Sequence, residues 1–185
     1  MTTATTTPPV LQHVPDLTDE PTLEVRPRVV VVMPALNAAK TLEMTVGSIS
    51  RDVVDEIILV DDKSTDDTVE VARRLNIRVI WHPHNVGYGG NQKTCYLEAL
   101  QRNADVVVML HPDGQYEPEL IPDLIAPIVD GRADLVLGSR LAEPGMARAG
   151  GMPRYKLIAN RALTAIENRA LHTDLSEMHT GYRAY

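Results

Sequence analysis

Val29-Val30-Val31-Val32-Met33 is an unbroken apolar run rich in β-branched side chains, with no residue suited to face water. Strands of a half-exposed sheet alternate apolar and polar residues. An unbroken run belongs to a strand covered on both faces, which calls for helices on each side of the sheet. Pro34 ends the run, and Asn37 can cap a helix over 38–49 in which Leu42, Val46 and Ile49 share one face. The pattern then recurs. Glu56 to Val60 reads as a second strand, and in the loop after it Ser64, with Asp67 three residues on, suits the cap of a helix through Leu75. Ile77 to Trp81 is a third strand, followed by the glycine loop Gly87-Tyr88-Gly89-Gly90 and a helix to about Arg102. Asp105 to Leu110 is a fourth, and Pro118 opens a helix to about Asp130 that Pro122 and Pro127 make irregular. Ala133 to Leu137 is a fifth, and a Gly/Pro-rich loop leads from it to a helix over Arg154 to Leu171.

Strands alternating with helices at short spacing predict an α/β fold, a largely parallel sheet flanked by helices. Ligands of such sheets sit beyond the carboxyl ends of the strands. Four of those ends carry polar or glycine-bearing loops: Ala35 to Asn37, Asp61 to Thr65, His111 to Gln115 and Gly138 to Arg140. Residues 1–27 are polar, punctuated by Pro8, Pro9, Pro15, Pro21 and Pro27, and are expected to be a disordered tail; residues 28–185 are expected to form one domain.

Composition narrows the function. Of 185 residues 44% are hydrophobic, enough for a real core; with no Phe and one Trp, Val, Leu and Ile must fill it. The single cysteine, Cys95, excludes a disulfide framework and a Cys-rich zinc site, and reads as a small core residue. Net charge is −7, divided unevenly: residues 1–139 carry 11 basic and 21 acidic side chains, residues 140–185 carry 7 and 4. That acidic body argues against a nucleic-acid partner. The basic end, with Arg148, Arg154, Lys156, Arg161 and Arg169, reads either as ordinary solvation or as contact with a phosphate-bearing acceptor or an anionic membrane surface, hence peripheral association. No apolar run approaches the ~20 residues of a membrane span, and Met1 to Pro9 lacks the features of a signal peptide. A cytoplasmic protein is the expectation, at the inner face of the membrane if it docks there.

Common nucleotide motifs fail. No G-x-G-x-x-G follows the first strand, and Lys93-Thr94 is preceded by Gln92 where a P-loop needs glycine. Gly87 to Gly90 make a tight turn or let backbone approach a ligand; Lys93 reaches a phosphate or lies on a solvated helix face. Asp61-Asp62 is a solvated acidic turn or a pair of acceptors for a base N–H or ribose hydroxyl. His111-Pro112-Asp113-Gly114 is a simple turn or a stiff loop that offers a carboxylate to Mg²⁺ or Mn²⁺ beside a diphosphate.

Six segments in order break these ties: Val32 to Asn37, Leu59 to Asp66, Asn85 to Asn91, His111 to Tyr116, Gly138 to Arg140 and Glu177 to Tyr185. Together they resemble the family 2 inverting glycosyltransferases of the nucleotide-diphospho-sugar transferase (GT-A) fold, dolichol-phosphate-mannose-synthase-like members most of all. The resemblance runs from about Val29 to Tyr185. It implies transfer of a sugar from a nucleotide-diphospho-sugar donor to a polyprenyl phosphate or saccharide acceptor. By it, Pro34, Ala35 and Asn37 line the nucleotide pocket, Gly87 and Lys93 lie on the donor side, and Asp61 or Asp62 holds base and ribose. Asp113 matches the second Asp of the family's D-x-D motif and binds Mg²⁺ or Mn²⁺. His111 replaces the first Asp, a departure, and reaches a ribose or phosphate. Arg140, His179 and Arg183 fall on the diphosphate or acceptor side, with His179 alternatively a structural hydrogen-bonder. Glu177 stands as general base, with Asp174 as second candidate; an anionic phosphate acceptor needs none, and Glu177 then only organises the site.

Two other readings remain. A sugar-nucleotide nucleotidyltransferase would need a glycine-rich first loop with a basic residue, where this chain has Pro34-Ala35-Leu36-Asn37. A nucleotide-sugar-binding domain without turnover fits the His111 departure and the end of the chain at Tyr185, where relatives continue and a fragment is expected.

Overall fold

The computed structural model describes residues 26–141 and 153–185. Nearly all of the expected tail, and the Gly/Pro-rich loop with Arg148, lie outside the described residues. The strands are β1 (Val29–Ala35), β2 (Glu56–Asp61), β3 (Arg78–Trp81), β4 (Val106–Met109), β5 (Val136–Leu137) and β6 (Arg183–Ala184). The helices are α1 (Leu42–Gly47), α2 (Thr68–Arg74), α3 (Tyr88–Gln101), α4 (Ile121–Val129), entered through a 3₁₀ turn at Pro118–Leu120, and α5 (Arg154–Leu171).

The six strands form one sheet in the order β3-β2-β1-β4-β6-β5. The first four are parallel, and β6 runs antiparallel between β4 and β5. The expected α/β architecture with a largely parallel sheet is therefore present. β6 has no counterpart among the sequence-based strands, because two residues of pairing leave no periodic signal.

All seven residues of β1 are buried. Its odd positions, Val29, Val31, Met33 and Ala35, join a core with Leu42 and Val46 of α1, Val71 and Ala72 of α2, and Ile121, Leu124 and Ile125 of α4. Its even positions, Val30 and Val32, pack with Cys95 and Ala99 of α3 on the opposite face. The period of two thus explains why the run needs no polar residue. Burial pushes the Cys95 thiol up to about 12, so it stays a neutral core group.

Several local expectations are corrected. Pro34 does not end β1: it pairs with Val60, and Ala35 with Asp61. Alternate residues of a strand face the same neighbour. Val32 accepts from Leu110 on the β4 side, so Pro34 faces that side too, beyond the last β1–β4 pair at Val32 and Met109, where no donor is needed. Asn37 does not cap α1, which begins at Leu42; it adopts a left-handed φ of 54°. Ser64 does not cap α2 either. Asp66 Oδ1 takes the Thr68 N–H instead. The glycine loop is mostly helix: Gly87, at φ 81°, precedes α3, whose first turn contains Gly89 and Gly90.

Candidate active site

The carboxyl ends of β1, β2 and β4 open onto a cavity of about 540 Å³. Its wall contains Pro34, Ala35 and Asn37 from the end of β1, Asp62 after β2, Gly87 at the head of α3, and His111 and Asp113 after β4. Seven of the expected donor-side residues thus come together around one opening. Lys40, Thr41, Asn85, Tyr88 and Asn91 also line it and were not foreseen. Tyr88 and Asn91 stood inside a recognised motif, but only the start of α3 at Tyr88 decides which of its side chains face the sheet end.

Two expected residues lie elsewhere. Asp61 is buried and absent from the cavity wall; its Oδ2 accepts the Ser64 N–H at 3.0 Å. Lys93 is exposed on α3, away from the opening. The acidic loop mainly fastens one strand end to another. Ser64 Oγ accepts the Asn37 N–H at 2.8 Å, Asn37 Oδ1 accepts the Thr65 N–H at 2.8 Å, Asp66 Oδ2 accepts the Ala39 N–H at 3.1 Å, and Thr68 Oγ1 accepts the Ala38 N–H at 2.8 Å. With the Thr65 hydroxyl, which donates to Asn37 Oδ1 at 3.2 Å, five bonds tie residues 37–39 to residues 64–68 and shape the rim of the cavity.

Asp62 is 3% exposed and organises the other side. Its Oδ1 accepts the Val86 N–H at 2.8 Å and meets His82 Nδ1 at 3.0 Å, and its Oδ2 accepts the Gly87 N–H at 3.0 Å. His82 Nε2 continues to the Thr94 hydroxyl at 3.0 Å. Burial opposes the charge on Asp62, yet the Val86 N–H, the His82 ring and the Gly87 N–H outweigh it and hold the carboxyl below its ordinary value. His82 thus links Asp62, just after β2, to Thr94 of α3.

His111 is held by aromatic neighbours. Its ring stacks on Tyr88 with centroids 5.5 Å apart, and Nε2 meets the Tyr88 hydroxyl at 3.1 Å, which also accepts from Gln92 at 2.7 Å. Burial pushes the imidazole pKa down; Asp113 opposes this and Arg183 and Arg140 reinforce it, so the ring is neutral at pH 7. Gly181 makes this packing possible. A Cβ there would stand 2.5 Å from His111 Cδ2 and 3.1 Å from the Tyr116 hydroxyl. Gly181→Ala is expected to cost about 1–3 kcal/mol through overpacking and to weaken nucleotide binding by displacing His111. Thermal unfolding beside a nucleotide titration checks this, and a variant matching wild type in both would refute it.

Asp113 is exposed, and its Oδ1 accepts the Gln115 N–H at 3.0 Å. Among the described residues no group of three His, Cys, Asp or Glu side chains converges as a metal cage. One carboxylate beside a neutral imidazole fits a hard divalent ion whose remaining ligands are diphosphate oxygens and water, as Mg²⁺ prefers.

The last expected cluster is built differently from the expectation. Glu177 is 1% exposed, is not part of the cavity wall, and is fully engaged. Its Oε1 accepts Arg140 Nη2 at 2.5 Å and Asn160 Nδ2 at 2.9 Å, and its Oε2 accepts the Arg140 backbone N–H at 2.8 Å. Three donors from Arg140 and Asn160 thus hold this carboxylate off the cavity wall. Arg140 in turn lies over the Tyr116 ring, 5.4 Å from its centroid. Asp174 is exposed. His179 is exposed and pairs with Glu167 at 3.0 Å. Arg183 Nε donates to the Thr180 carbonyl at 2.6 Å. Arg140, His179 and Arg183 all lie outside the cavity wall.

Comparison with known proteins completes the description. The sequence profile described as glycosyl transferase family 2 matches residues 30–185. The chain is similar to the UDP-N-acetylglucosamine--dolichyl-phosphate N-acetylglucosaminyltransferase of Methanococcus voltae, with 28% identity over 84% of this chain and 68% of that one. It is similar to the undecaprenyl-phosphate mannosyltransferase of Micrococcus luteus, with 30% identity over 85% of this chain and 66% of that one. Among solved structures it is similar to the glucosyl-3-phosphoglycerate synthase of Mycobacterium tuberculosis in complex with Mn²⁺, UDP-glucose and glycerol 3-phosphate. That likeness has a TM-score of 0.64 and 26% identity, over 85% of this chain and 56% of that one.

Proposed function

The chain belongs to glycosyl transferase family 2, with the GT-A fold of its structural neighbours, and we propose that residues 28–185 form a glycosyltransferase catalytic domain. In this reading it moves a sugar, with inversion, from a nucleotide-diphospho-sugar to a polyprenyl phosphate or saccharide acceptor. The observation that carries it is the cavity where the loops after β1, β2 and β4 meet around Asp62, His111 and Asp113. Four of the six sequence segments that carry the resemblance contribute residues to this shared opening. The curated relatives act on polyprenyl phosphates by name, and the solved neighbour holds Mn²⁺ with a uridine diphosphate sugar.

The base and ribose enter between the β1 rim and Asp62. The diphosphate lies toward His111 and Asp113, with Arg140 and Arg183 behind. Asp113 would hold Mg²⁺ or Mn²⁺, and the charge neutralisation such an ion supplies when bound eases departure of the diphosphate. The neutral His111 ring, fixed against Tyr88, offers a hydrogen bond without adding charge. An acceptor oxygen attacks the anomeric carbon as the bond from that carbon to the diphosphate oxygen breaks. The engagement of Glu177 favours an acceptor that needs no deprotonation, and a phosphate oxygen is already anionic. Among the described residues no helix is long and apolar enough to cross a membrane. A lipid-linked acceptor would be met at the cytoplasmic membrane face by peripheral contact.

Calorimetric titration with UDP, GDP, ADP and CDP, with and without Mn²⁺, tests the reading. Failure of all four in both conditions overturns it, and binding without sugar transfer in an extended chain would favour a binding domain instead. Asp113→Asn is expected to make nucleotide affinity indifferent to Mn²⁺, where the unmodified protein gains about tenfold or more. A metal response that survives the substitution removes Asp113 as the ligand.

A further inference from the structure

Asn91 lies one turn into α3, is 3% exposed, and lines the cavity beside Ala35, Gly87 and Tyr88. Its amide orientation is dictated by its neighbours. Nδ2 donates to the Val60 carbonyl at 3.0 Å and reaches the Ala35 carbonyl at 3.5 Å, the strand ends of β2 and β1. Both are acceptors, so the NH₂ group must face them and the oxygen must face away. That oxygen, Oδ1, is buried and has no hydrogen-bond partner among the described residues. Polar atoms enclosed in this way are ordinarily satisfied, because an unmade bond in a low-dielectric site costs the full desolvation of the group.

We propose that Asn91 Oδ1 is an acceptor subsite of the nucleotide cavity, completed by one hydrogen-bond donor of the bound nucleotide, either a ribose hydroxyl or a base N–H. The subsite rests on the donor reading above and adds a specificity-determining residue to it. Geometry favours recognition over mere shape. Asn91 bridges the ends of β1 and β2, and its oxygen is fixed before a ligand arrives. A donor that meets it completes a prepared bond, while a ligand that lacks the donor leaves Asn91 as unsatisfied as before. Asp61 Oδ1 is also unpartnered, but Asp61 does not line the cavity, and both oxygens of Asp62 are occupied by Val86, Gly87 and His82, which leaves Asn91 as the cavity-lining residue with an open acceptor among these three.

The test starts with the nucleoside diphosphate that binds most tightly among UDP, GDP, ADP and CDP, each titrated with Mn²⁺. If none binds, donor reading and subsite fall together. With that parent in hand, its 2′-deoxy, 3′-deoxy and base-N-methyl analogues are titrated into wild type and Asn91→Ala. Wild type is expected to bind one analogue about tenfold more weakly than the parent. Asn91→Ala is expected to bind the parent about tenfold more weakly and to close that one gap, leaving the others open. The deoxy arms identify a ribose hydroxyl; the methyl arm identifies a base N–H. A purely structural role would weaken every ligand alike and leave every gap in place. That result, or unchanged affinity for the parent, overturns the subsite while the donor reading stands. Should Asn91→Ala not fold, the ¹⁵N side-chain amide resonance of Asn91 in wild type decides. It is expected to shift with the parent and much less with the discriminating analogue, and an equal response to both overturns the proposal.

Discussion

Glu177→Gln is expected to lower the melting temperature of this protein before it changes anything specific about chemistry. The carboxylate receives three donors, two from Arg140 and one from Asn160, and its side chain is 0% exposed against 25% for Arg140. Glutamine keeps the shape but loses the charge and turns one acceptor into a donor that faces N–H groups. Breaking one partner of a buried pair costs about 3 kcal/mol, and for a domain of this size that is about 6–12 °C in melting temperature. The damage spreads along named contacts. Arg140 loses what holds it over Tyr116, and α5 loses the Asn160 link to the segment before β6. A general base behaves otherwise: glutamine would leave the melting temperature near wild type, spare donor affinity, and slow transfer by about 10²–10⁴. Calorimetry and single-turnover transfer on the same preparation separate the two. An unchanged melting temperature with slow transfer would return Glu177 to the role of base and refute the clamp.

That contrast shows where sequence reading succeeds and where it stops. β1 was legible because its burial on both faces forbids polar residues, so chemistry and position carry the same message. The loops after β1, β2 and β4 were legible as a site because a parallel sheet brings carboxyl ends together whatever the side chains do. What stayed hidden is how individual carboxylates spend their lone pairs. Asp61 and Asp62 are adjacent and chemically identical. Successive side chains of an extended segment point to opposite sides, so one turns in toward Ser64 while the other gathers His82, Val86 and Gly87 from 20 to 25 residues away. Glu177 was found at the right place in its motif, but its partner Arg140 lies 37 residues earlier in the chain. Asn91 stood inside a recognised motif without drawing notice. Only the first turn of α3 aims it at the carbonyl ends of β1 and β2.

Asp62→Ala has an expected effect of similar size, and pH identifies its origin. The substitution strands the Val86 N–H and one nitrogen of His82 and leaves the Gly87 N–H with Asn85 Oδ1 alone, so a loss of about 3 kcal/mol is expected. Because burial is outweighed by these hydrogen bonds, the folded carboxyl titrates below its ordinary value of 3.8. A group whose folded pKa is depressed stabilises the native state above the unfolded pKa, and that contribution drains away as pH falls through the folded value. The stability difference between wild type and Asp62→Ala should therefore be flat above about pH 5 and shrink steadily below 3.8. Asp66, also depressed because the Thr68 hydroxyl and backbone bonds outweigh its burial, should respond in the same direction. Urea unfolding of wild type, Asp62→Ala and Asp66→Ala from pH 7 to pH 2 measures this. A wild-type-to-alanine gap that persists undiminished to pH 2 would show that the carboxylate charge contributes nothing. Nucleotide affinity adds the second axis. If Asp62 only holds the 86–87 backbone at the mouth of the cavity, affinity in a set of Asp62 variants will track their stability. If it also touches the nucleotide, Asp62→Asn will lose more affinity than its stability accounts for, and the excess will vanish with an analogue lacking the contacted group.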